Sequence, residues 1–196
     1  MANYQLVADV SGWNPDTQAF FNQLAGLGVK AVIVKLTEST NYTNPKAYNQ
    51  IRRAWKAGLH VHAYHFAHFQ NTAQAKAEAK YFANTAKSFG LDKTSVLVAD
   101  VEASTLPSGG LTGLTNSFLE QLKASGYPKV DLYTMASWIW SSRINPKTLI
   151  AKNLWIARYQ ADKPGVDNVG TWQFTSNYKG LNVDMSYDFK GLYTKI

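Results

Sequence analysis

The spacing of strand-like apolar runs limits this chain to very few folds. Eight such runs follow one another along the 196 residues, and each is followed by a turn or ends at a polar residue. A parallel return between neighbouring strands needs a crossover of about a dozen residues or more, whereas an antiparallel return does not. The first five connections are long enough and the last two are not. We therefore predict an α/β chain of five β/α units followed by three strands with few or no intervening helices.

The elements can be placed from apolar periodicity and from the turn residues that bound them. The predicted strands cover residues 4–9, 29–36, 59–66, 96–102, 130–134, 154–159, 170–175 and 181–184. The predicted helices cover residues 15–27, 71–89 and 111–125, and a fourth opens at Asn44-Pro45 and closes at Gly58 with Tyr48, Ile51 and Trp55 on one face.

Eight strands in this order favour a modified TIM-like barrel, related to the (β/α)8 type with its final third degenerate. An open doubly wound sheet is the alternative. It would carry a Gly-rich phosphate loop after the first strand, but Asp9 to Trp13 read Asp-Val-Ser-Gly-Trp, which fits neither nucleotide fingerprint. No linker composition divides the chain, so we read residues 1–196 as a single domain.

Charge and composition exclude several classes of protein. The net charge of +7 favours polyanionic partners, such as nucleic acid, anionic lipid or a phosphate-bearing cell wall. No Lys/Arg run reaches five residues and no nucleic-acid motif is present, which argues against nucleic acid. No apolar run is long enough for membrane insertion, and the N-terminus lacks the pattern of a signal peptide. With no Cys, the chain forms no disulfide and no thiolate metal site.

Polar residues recur where the predicted strands end, and in such barrels the carboxyl ends of the strands form the working face. The residues placed on this rim are Asp9, Lys35, Tyr64, Asp100, Glu102, Tyr133, Arg158, Gln173 and Asp184. Four carboxylates from distant parts of the sequence are therefore expected to converge.

Asp100 and Glu102 are two residues apart, so their side chains should point to the same side of the strand. Two carboxylates this close cannot both ionise cheaply, and we expect Glu102 to keep its proton and act as a general acid. Two carboxyl groups with divided roles are what cleavage of a glycosidic bond requires. An isolated Asp-x-Glu would more often only cap a loop, but Asp9 and Asp184 on the same rim favour a catalytic site.

A zinc-dependent hydrolase is a competing hypothesis. His60 and His62 share one face of a strand and could hold a metal together with Asp100 or Asp184, in which case a chelator should inactivate the protein. His60 begins its strand, however, and should lie near the opposite end of the barrel from the acids. We therefore predict no metal and no other cofactor.

Seven short motifs, taken together, resemble those of the glycoside hydrolase family 25 muramidases, the Chalaropsis-type lysozymes. They are Asp9-Val10-Ser11, Lys35 to Glu38 with Tyr42 and Asn44-Pro45, Ala63 to Phe66, Asp100-Val101-Glu102, Leu154 to Ala157 with Tyr159, Trp172-Gln173-Phe174 and Val183-Asp184. The resemblance implies hydrolysis of the β-1,4 bond between N-acetylmuramic acid and N-acetylglucosamine in bacterial peptidoglycan, on a barrel of five β/α units and three strands.

The resemblance also implies roles for individual residues. Glu102 would be the general acid, and Asp100 would orient or stabilise the 2-acetamido group of the substrate. Asp9 and Asp184 would complete an acidic floor. Lys35, Tyr64, Tyr133 and Gln173 would position the substrate.

Several points stay open from the sequence. Ser186 stands where the family usually has Asn, so Asp188 is an alternative to Asp184, which we favour because it ends an apolar pair. Acetamido-assisted retention is favoured over an inverting displacement. A glycan-binding domain without catalysis remains the alternative function. We expect a monomer that acts at the bacterial cell wall.

Overall fold

The computed structural model describes residues 4–195 of the chain. The strands are β1 (Gln5–Val10), β2 (Val29–Glu38), β3 (Tyr42–Thr43), β4 (His60–Phe66), β5 (Leu97–Asp100), β6 (Val130–Met135), β7 (Trp155–Ala157), β8 (Thr171–Thr175) and β9 (Asp184–Asp188). The helices are α1 (Gln18–Gly26), α2 (Ala47–Lys56), α3 (Thr72–Ser88), α4 (Leu111–Ala124) and α5 (Ala136–Trp140). Within residues 4–195, no helix combines the length and apolarity needed to cross a membrane.

Eight of the strands close into a barrel. Strands β1, β2, β4, β5, β6, β7 and β8 pair in parallel in this order, and β9 closes the barrel by pairing antiparallel with both β8 and β1. The short β3 only extends the edge of β2 as an antiparallel hairpin. The predicted modified TIM-like barrel, with helices confined to the first five units, is confirmed.

The last predicted strand, 181–184, is wrong in its bounds. Tyr178 and Leu181 exchange two backbone hydrogen bonds of 2.9 and 3.0 Å, which hold Leu181 in a tight turn before the strand begins. Strand β9 starts at Asp184, the residue that was predicted to end it.

The three residues predicted to share one face of α2 differ in burial. Ile51 is buried, but Tyr48 and Trp55 are 50% and 37% exposed. The inner positions are taken by small residues and by Gln50, whose amide is anchored by hydrogen bonds to the Ser11 carbonyl and to Asn44. The two rings lie at the edge of the helix, where Tyr48 packs edge-on against Phe89 at 5.6 Å between centroids.

The apolar residues divide into two cores because side chains alternate along each strand. The larger core lies between the sheet and the helices and includes Val34, Leu97 and Phe118. The smaller core fills the barrel and contains Val7, Ala31, Ile33, Val96, Val98, Tyr133, Trp155 and Tyr193. Val7, Ile33 and Val98 point into the barrel. Two residues further along each strand, Asp9, Lys35 and Asp100 point to the same side. The same alternation that fills the barrel therefore aims polar side chains at its upper end.

The C-terminal segment closes the opposite end of the barrel. Tyr193 is 1% exposed, and its hydroxyl donates a hydrogen bond to the buried Asp131 at 2.6 Å. Asp188 accepts hydrogen bonds from the backbone amides of Gly191, Tyr193 and Thr194, which fixes the turn that carries Tyr193. Asp188 is therefore a structural residue of the lower end.

Candidate active site

Four carboxylates surround one small cavity of about 70 Å³ at the upper end of the barrel. They are Asp9, Asp100, Glu102 and Asp184, and Tyr64, Tyr133, Trp155 and Gln173 complete the lining. The structure thus brings together all four predicted acids and three of the four predicted positioning residues. The fourth, Lys35, lies in the adjoining cleft with Tyr64, Asp100 and Glu102.

Asp184 reaches this cavity for a different reason from the one the sequence suggested. It does not end a parallel strand; it begins β9, which runs antiparallel to its neighbours. The start of an antiparallel strand lies at the same rim as the ends of the parallel ones, so Asp184 sits directly opposite Asp9. Asp188 lies at the other end of β9, opposite Gln5, and away from the cavity.

A hydrogen-bonded network centred on Gln173 holds Asp9 in place. The Gln173 side chain donates from Nε2 to Asp9 Oδ2 at 2.9 Å. Its Oε1 accepts from the hydroxyl groups of Tyr133 and Tyr159, at 2.8 and 2.7 Å. Tyr159 also donates to Asp184 Oδ1 at 3.4 Å. Gln173 therefore links Asp9 to two tyrosines, and Tyr159 extends the network to Asp184. Tyr159 is a member of the site that the sequence prediction missed.

The main chain between Asp100 and Glu102 is tightly held. The Val101 amide donates to the Tyr133 carbonyl at 2.9 Å, and the Thr134 hydroxyl donates to the Val101 carbonyl at 2.8 Å. Strand β5 ends at Asp100, not at Glu102 as predicted, yet both side chains face the same cavity. Neighbouring β6 therefore fixes the direction in which Glu102 projects.

Asp100 and Glu102 differ in their access to solvent. Asp100 is 5% exposed, and its Oδ1 has no hydrogen-bond partner among residues 4–195. Glu102 is half-buried and lines three adjoining cavities, including the open cleft. A buried polar atom without a partner is costly, and such an atom at a cavity wall is available to a bound ligand.

Burial raises the pKa of each of the four carboxyl groups. For Asp9 and Asp100 the pKa lies well above the usual range, because burial is added to the negative charge of Asp184 near Asp9 and of Glu102 near Asp100. The pKa of Glu102 is also raised, by burial and by Asp184. The site is thus able to hold protons at a pH where free carboxylates have lost them.

Two groups oppose this rise. The Gln173 amide stabilises the charged form of Asp9 and lowers the pKa of that acid. The Lys35 ammonium lowers the pKa of both Asp100 and Glu102. The cavity therefore contains groups that lower the pKa values of its acids as well as groups that raise them. Some of the acids can ionise while others stay protonated.

Tyr64 and Tyr133 are neutral hydrogen-bonding groups in this setting. Burial raises the pKa of both phenols well above its usual value, and the surrounding carboxylates raise it further. Their hydroxyl groups keep their protons, so they can act as donors to a ligand or, like Tyr133, to a neighbouring side chain.

Lys35 is held by residues that the sequence prediction did not place in the site. Its ammonium lies 2.7 Å from Glu38 Oε2, and Glu38 Oε1 lies 2.9 Å from His68 Nε2. The Lys35 ammonium also lies 4.6 Å from the centre of the Phe66 ring. Strand β2 extends two residues beyond its predicted end, and this extension brings Glu38 to the rim.

The adjoining cleft has a volume of about 940 Å³ and combines aromatic with polar walls. Trp13 is 95% exposed and Tyr42 is 40% exposed, and both line it together with Phe66. Exposed rings beside hydrogen-bonding groups suit ligands such as sugars, which present an apolar face and a polar edge.

The two histidines of the zinc hypothesis lie away from the acids. His62 Nδ1 accepts from the Val96 amide at 2.9 Å, and Nε2 lies 2.9 Å from the Tyr193 carbonyl, so both ring nitrogens have backbone partners. Burial lowers the pKa of His62 to about 4. His60 lines a separate cavity near Trp55 and Asp92. Among the described residues, no three His, Asp or Glu side chains are grouped as a metal site would require.

The barrel carries its carboxylate cavity at the carboxyl ends of the strands, where the active sites of enzymes with such barrels lie, and sequence comparison gives the family. Residues 8–183 match the glycosyl hydrolases family 25, and the chain belongs to this family. The resemblance read from the seven motifs is thereby confirmed.

Particular relatives are lysozymes and a muramidase. The chain is 30% identical over 178 residues to Lysozyme M1 of Streptomyces globisporus. The matched region covers 85% of this chain and 59% of that protein. It is 29% identical over 194 residues to the lysozyme of Streptococcus phage Cp-9, covering 91% of this chain and 53% of that protein. It is 30% identical over 171 residues to the N,O-diacetylmuramidase of Chalaropsis sp, covering 80% and 79% of the two chains. The chain thus spans little more than half the length of the first two relatives.

Solved structures show the same fold. The catalytic domain of endolysin ply40 from bacteriophage P40 of Listeria monocytogenes superposes with a TM-score of 0.85 at 24% identity, covering 100% of this chain and 98% of that one. The CTP1L endolysin superposes with a TM-score of 0.80 at 26% identity, covering 95% of this chain and 68% of that one.

Proposed function

We propose that this chain is a muramidase that hydrolyses the β-1,4 bond between N-acetylmuramic acid and N-acetylglucosamine in bacterial peptidoglycan. The convergence of Asp9, Asp100, Glu102 and Asp184 on one cavity carries the proposal. Membership of the glycosyl hydrolases family 25 and the lysozyme names of the relatives support it. Residues 1–196 would act as one catalytic domain at the bacterial cell wall.

Glu102 is the general acid in this proposal. Its raised pKa keeps a proton available, and its position at the junction of the cavities gives it access to a glycosidic oxygen. Transfer of this proton to the leaving oxygen allows the bond to the anomeric carbon to break. The proton returns when Glu102, now ionised, accepts one from the attacking water.

Asp100 acts on the substrate's 2-acetamido group. Its buried Oδ1 accepts the acetamido N–H, which increases the electron density on the acetamido carbonyl oxygen. That oxygen attacks the anomeric carbon as the leaving sugar departs, and water later opens the cyclic intermediate with net retention. Asp184, and Asp9 in the form that the Gln173 amide stabilises, place negative charge beneath the developing oxocarbenium centre.

Lys35, Tyr64, Tyr133 and Gln173 position the substrate, directly or through the acids. Tyr64 lines both the cavity and the cleft, so it contacts the sugar at the cleavage point. Tyr133 and Gln173 act mainly by holding Asp9, because their polar atoms already bond within the network. Lys35 balances the charge of Asp100 and Glu102.

Analysis of the products tests the proposal. Purified peptidoglycan is digested, the new reducing ends are reduced with borohydride, and the reduced sugars are identified after acid hydrolysis. A muramidase yields reduced muramic acid. Reduced glucosamine, or no new reducing ends, would contradict the proposal. Proton NMR of the anomer released first distinguishes retention from inversion.

A further inference from the structure

Another cavity, the flank cavity, has a volume of about 580 Å³ and lies on the outer flank of the barrel, away from the four acids. It is bounded by α5 and the loop that follows it on one side, and by residues 165–168 on the other. This is the region where the barrel lacks a long helix after β7. The flank is therefore open where helices cover the earlier strands.

The wall of this cavity contains an aromatic ring held in a fixed position. Trp140 is 56% exposed, and its indole N–H donates to the Gly165 carbonyl at 2.8 Å. The Arg158 guanidinium lies 5.2 Å from the centre of the Trp140 ring and donates to the Lys163 carbonyl at 3.1 Å. A Cβ at Gly165 would lie 2.5 Å from Arg158 Nη1, and Gly165 has φ +73, so only glycine permits this packing.

The backbone around the cavity is strained. Leu154 and Asn168 both line it with positive φ angles of 60° and 59°, a region that non-glycine residues seldom occupy. Such conformations persist where the surrounding structure enforces them, and they concentrate at functional sites.

Arg158 connects this flank to the catalytic cavity. Together with Glu102, Tyr133 and Tyr159 it lines one of the cavities beside the general acid. Its guanidinium also lies near the Trp140 ring. Arg158 thus lies between the cavity that contains the general acid and the Trp140 ring. The exposed Lys147 and Lys152 line the flank cavity together with one acid, Asp167.

We propose that Trp140, Arg158 and the cavity beside them bind a distal part of the same glycan strand that is cleaved at Glu102. The Trp140 ring stacks on the apolar face of a sugar, and Lys147 and Lys152 attract carboxylate groups of the strand's substituents. The inference rests on the proposed function, and it predicts that affinity depends on the length of the glycan.

The test compares a tetrasaccharide with long glycan strands, both of alternating N-acetylglucosamine and N-acetylmuramic acid. For long strands, Trp140→Ala should raise KM about five-fold, the loss expected for one stacking contact of about 1 kcal/mol. For the tetrasaccharide KM should change less than about two-fold, because its sugars do not reach the flank. Trp140→Phe keeps a ring but lacks the hydrogen bond to Gly165, and it should restore most of the affinity.

The controls separate this proposal from a structural role and from the function itself. Tyr48→Ala removes another exposed ring, on α2, and should leave both KM values unchanged. Equal changes for both substrates in Trp140→Ala, or a Trp140→Phe variant as weak as Trp140→Ala, would overturn the proposed glycan contact. If the wild type cleaved neither substrate, the muramidase proposal itself would fail.

Discussion

Asp9 and Asp184 face one another across the antiparallel pair of β1 and β9, although they lie near opposite ends of the sequence. Their proximity raises the pKa of Asp9 beyond the effect of burial. The antiparallel direction of the last strand is what makes this pairing possible. A complete parallel barrel would place the first residue of its last strand at the other end.

The hydrogen bond from Gln173 to Asp9 should control the protonation of that acid. Replacing Gln173 with Leu removes the one side-chain hydrogen bond that lowers the pKa of Asp9, so this pKa should rise further. The substitution also leaves the Tyr133 hydroxyl buried without its acceptor, which should cost about 1–3 kcal/mol of unfolding free energy. Titration of the carboxyl carbons by NMR measures the pKa change.

Tyr159→Phe is the matched control for this experiment. It removes a hydrogen bond to Gln173 but keeps the one from Gln173 to Asp9. The pKa of Asp9 should change less than in Gln173→Leu. An equal change in both variants would show that the amide does not act on Asp9 directly.

Lys35 should set the alkaline limit of activity. Its charge lowers the pKa of Glu102, so Lys35→Met should raise that pKa. A general acid works only while protonated, and the alkaline limb of kcat/KM should therefore move to higher pH. The measurement is a pH profile on a soluble substrate.

Glu38→Gln gives the opposite perturbation. It removes the partner of Lys35 and also one of the negative charges that raise the pKa of Asp100. The alkaline limb should not move upward in this variant. If both variants moved it in the same direction, loss of the ion pair rather than the charge of Lys35 would be responsible.

Asp131 should make stability depend on pH. Burial raises its pKa to about 6, above the value of about 3.9 expected in the unfolded chain. Because the pKa of Asp131 is higher in the folded state, this group contributes its full share of the free energy of unfolding below about pH 4. That contribution is lost as pH rises through about 6, and the loss amounts to about 3 kcal/mol.

Asp131→Asn removes this titration. Denaturant unfolding at several pH values measures the free energy of unfolding. Between about pH 4 and 7 this free energy should decline in the wild type, and the decline should be smaller by about 3 kcal/mol in the variant. The absolute stability of the variant should also fall, since Asn153 and Tyr193 both donate to this side chain. Parallel pH curves for the two proteins would contradict the assignment of the titration to Asp131.

Much of the fold could be predicted because spacing and periodicity are local properties. The long first five connections allowed parallel crossovers, and Asp100 and Glu102 followed a recognisable strand. The direction of β9 could not be read from periodicity, because an alternating strand looks the same in either direction. Glu38 and Tyr159 were missed as site residues because their roles depend on side-chain bonds to partners in other segments of the chain.

The exposed rings show a second limit of periodicity. Tyr48 and Trp55 fall on the apolar stripe of α2, but Gln50 occupies an inner position because Ser11 and Asn44 satisfy its amide. Hydrophobicity alone does not anticipate a buried polar side chain whose partners come from another segment.

Lysis should weaken as salt rises. Fifteen of the 20 Lys and Arg residues are exposed, whereas only four of the 13 acids are: Asp92, Glu120, Asp162 and Asp167. The outer surface is therefore more positive than the net charge of +7 suggests. Raising ionic strength from about 0.01 M to about 1 M shortens the screening length about ten-fold and should slow lysis of anionic walls.

Hydrolysis of a short soluble oligosaccharide of N-acetylglucosamine and N-acetylmuramic acid is the control for salt, since such a substrate carries far fewer charges than an intact wall and its hydrolysis depends much less on long-range attraction. Its rate should stay nearly constant over the same range. Lysis that is independent of salt would remove the proposed role of the surface charge.

Glu102 should supply the proton that breaks the glycosidic bond. Glu102→Gln keeps the size and most of the polarity of the side chain but cannot donate that proton. The direct measurement is the rate at which wild type and Glu102→Gln create reducing ends on muramic acid in purified peptidoglycan, with binding to the same material measured in parallel. We predict that the variant binds like the wild type and cleaves about 10²- to 10⁴-fold more slowly. Equal rates of cleavage would contradict the role of Glu102, and binding without cleavage by either protein would indicate a glycan-binding domain.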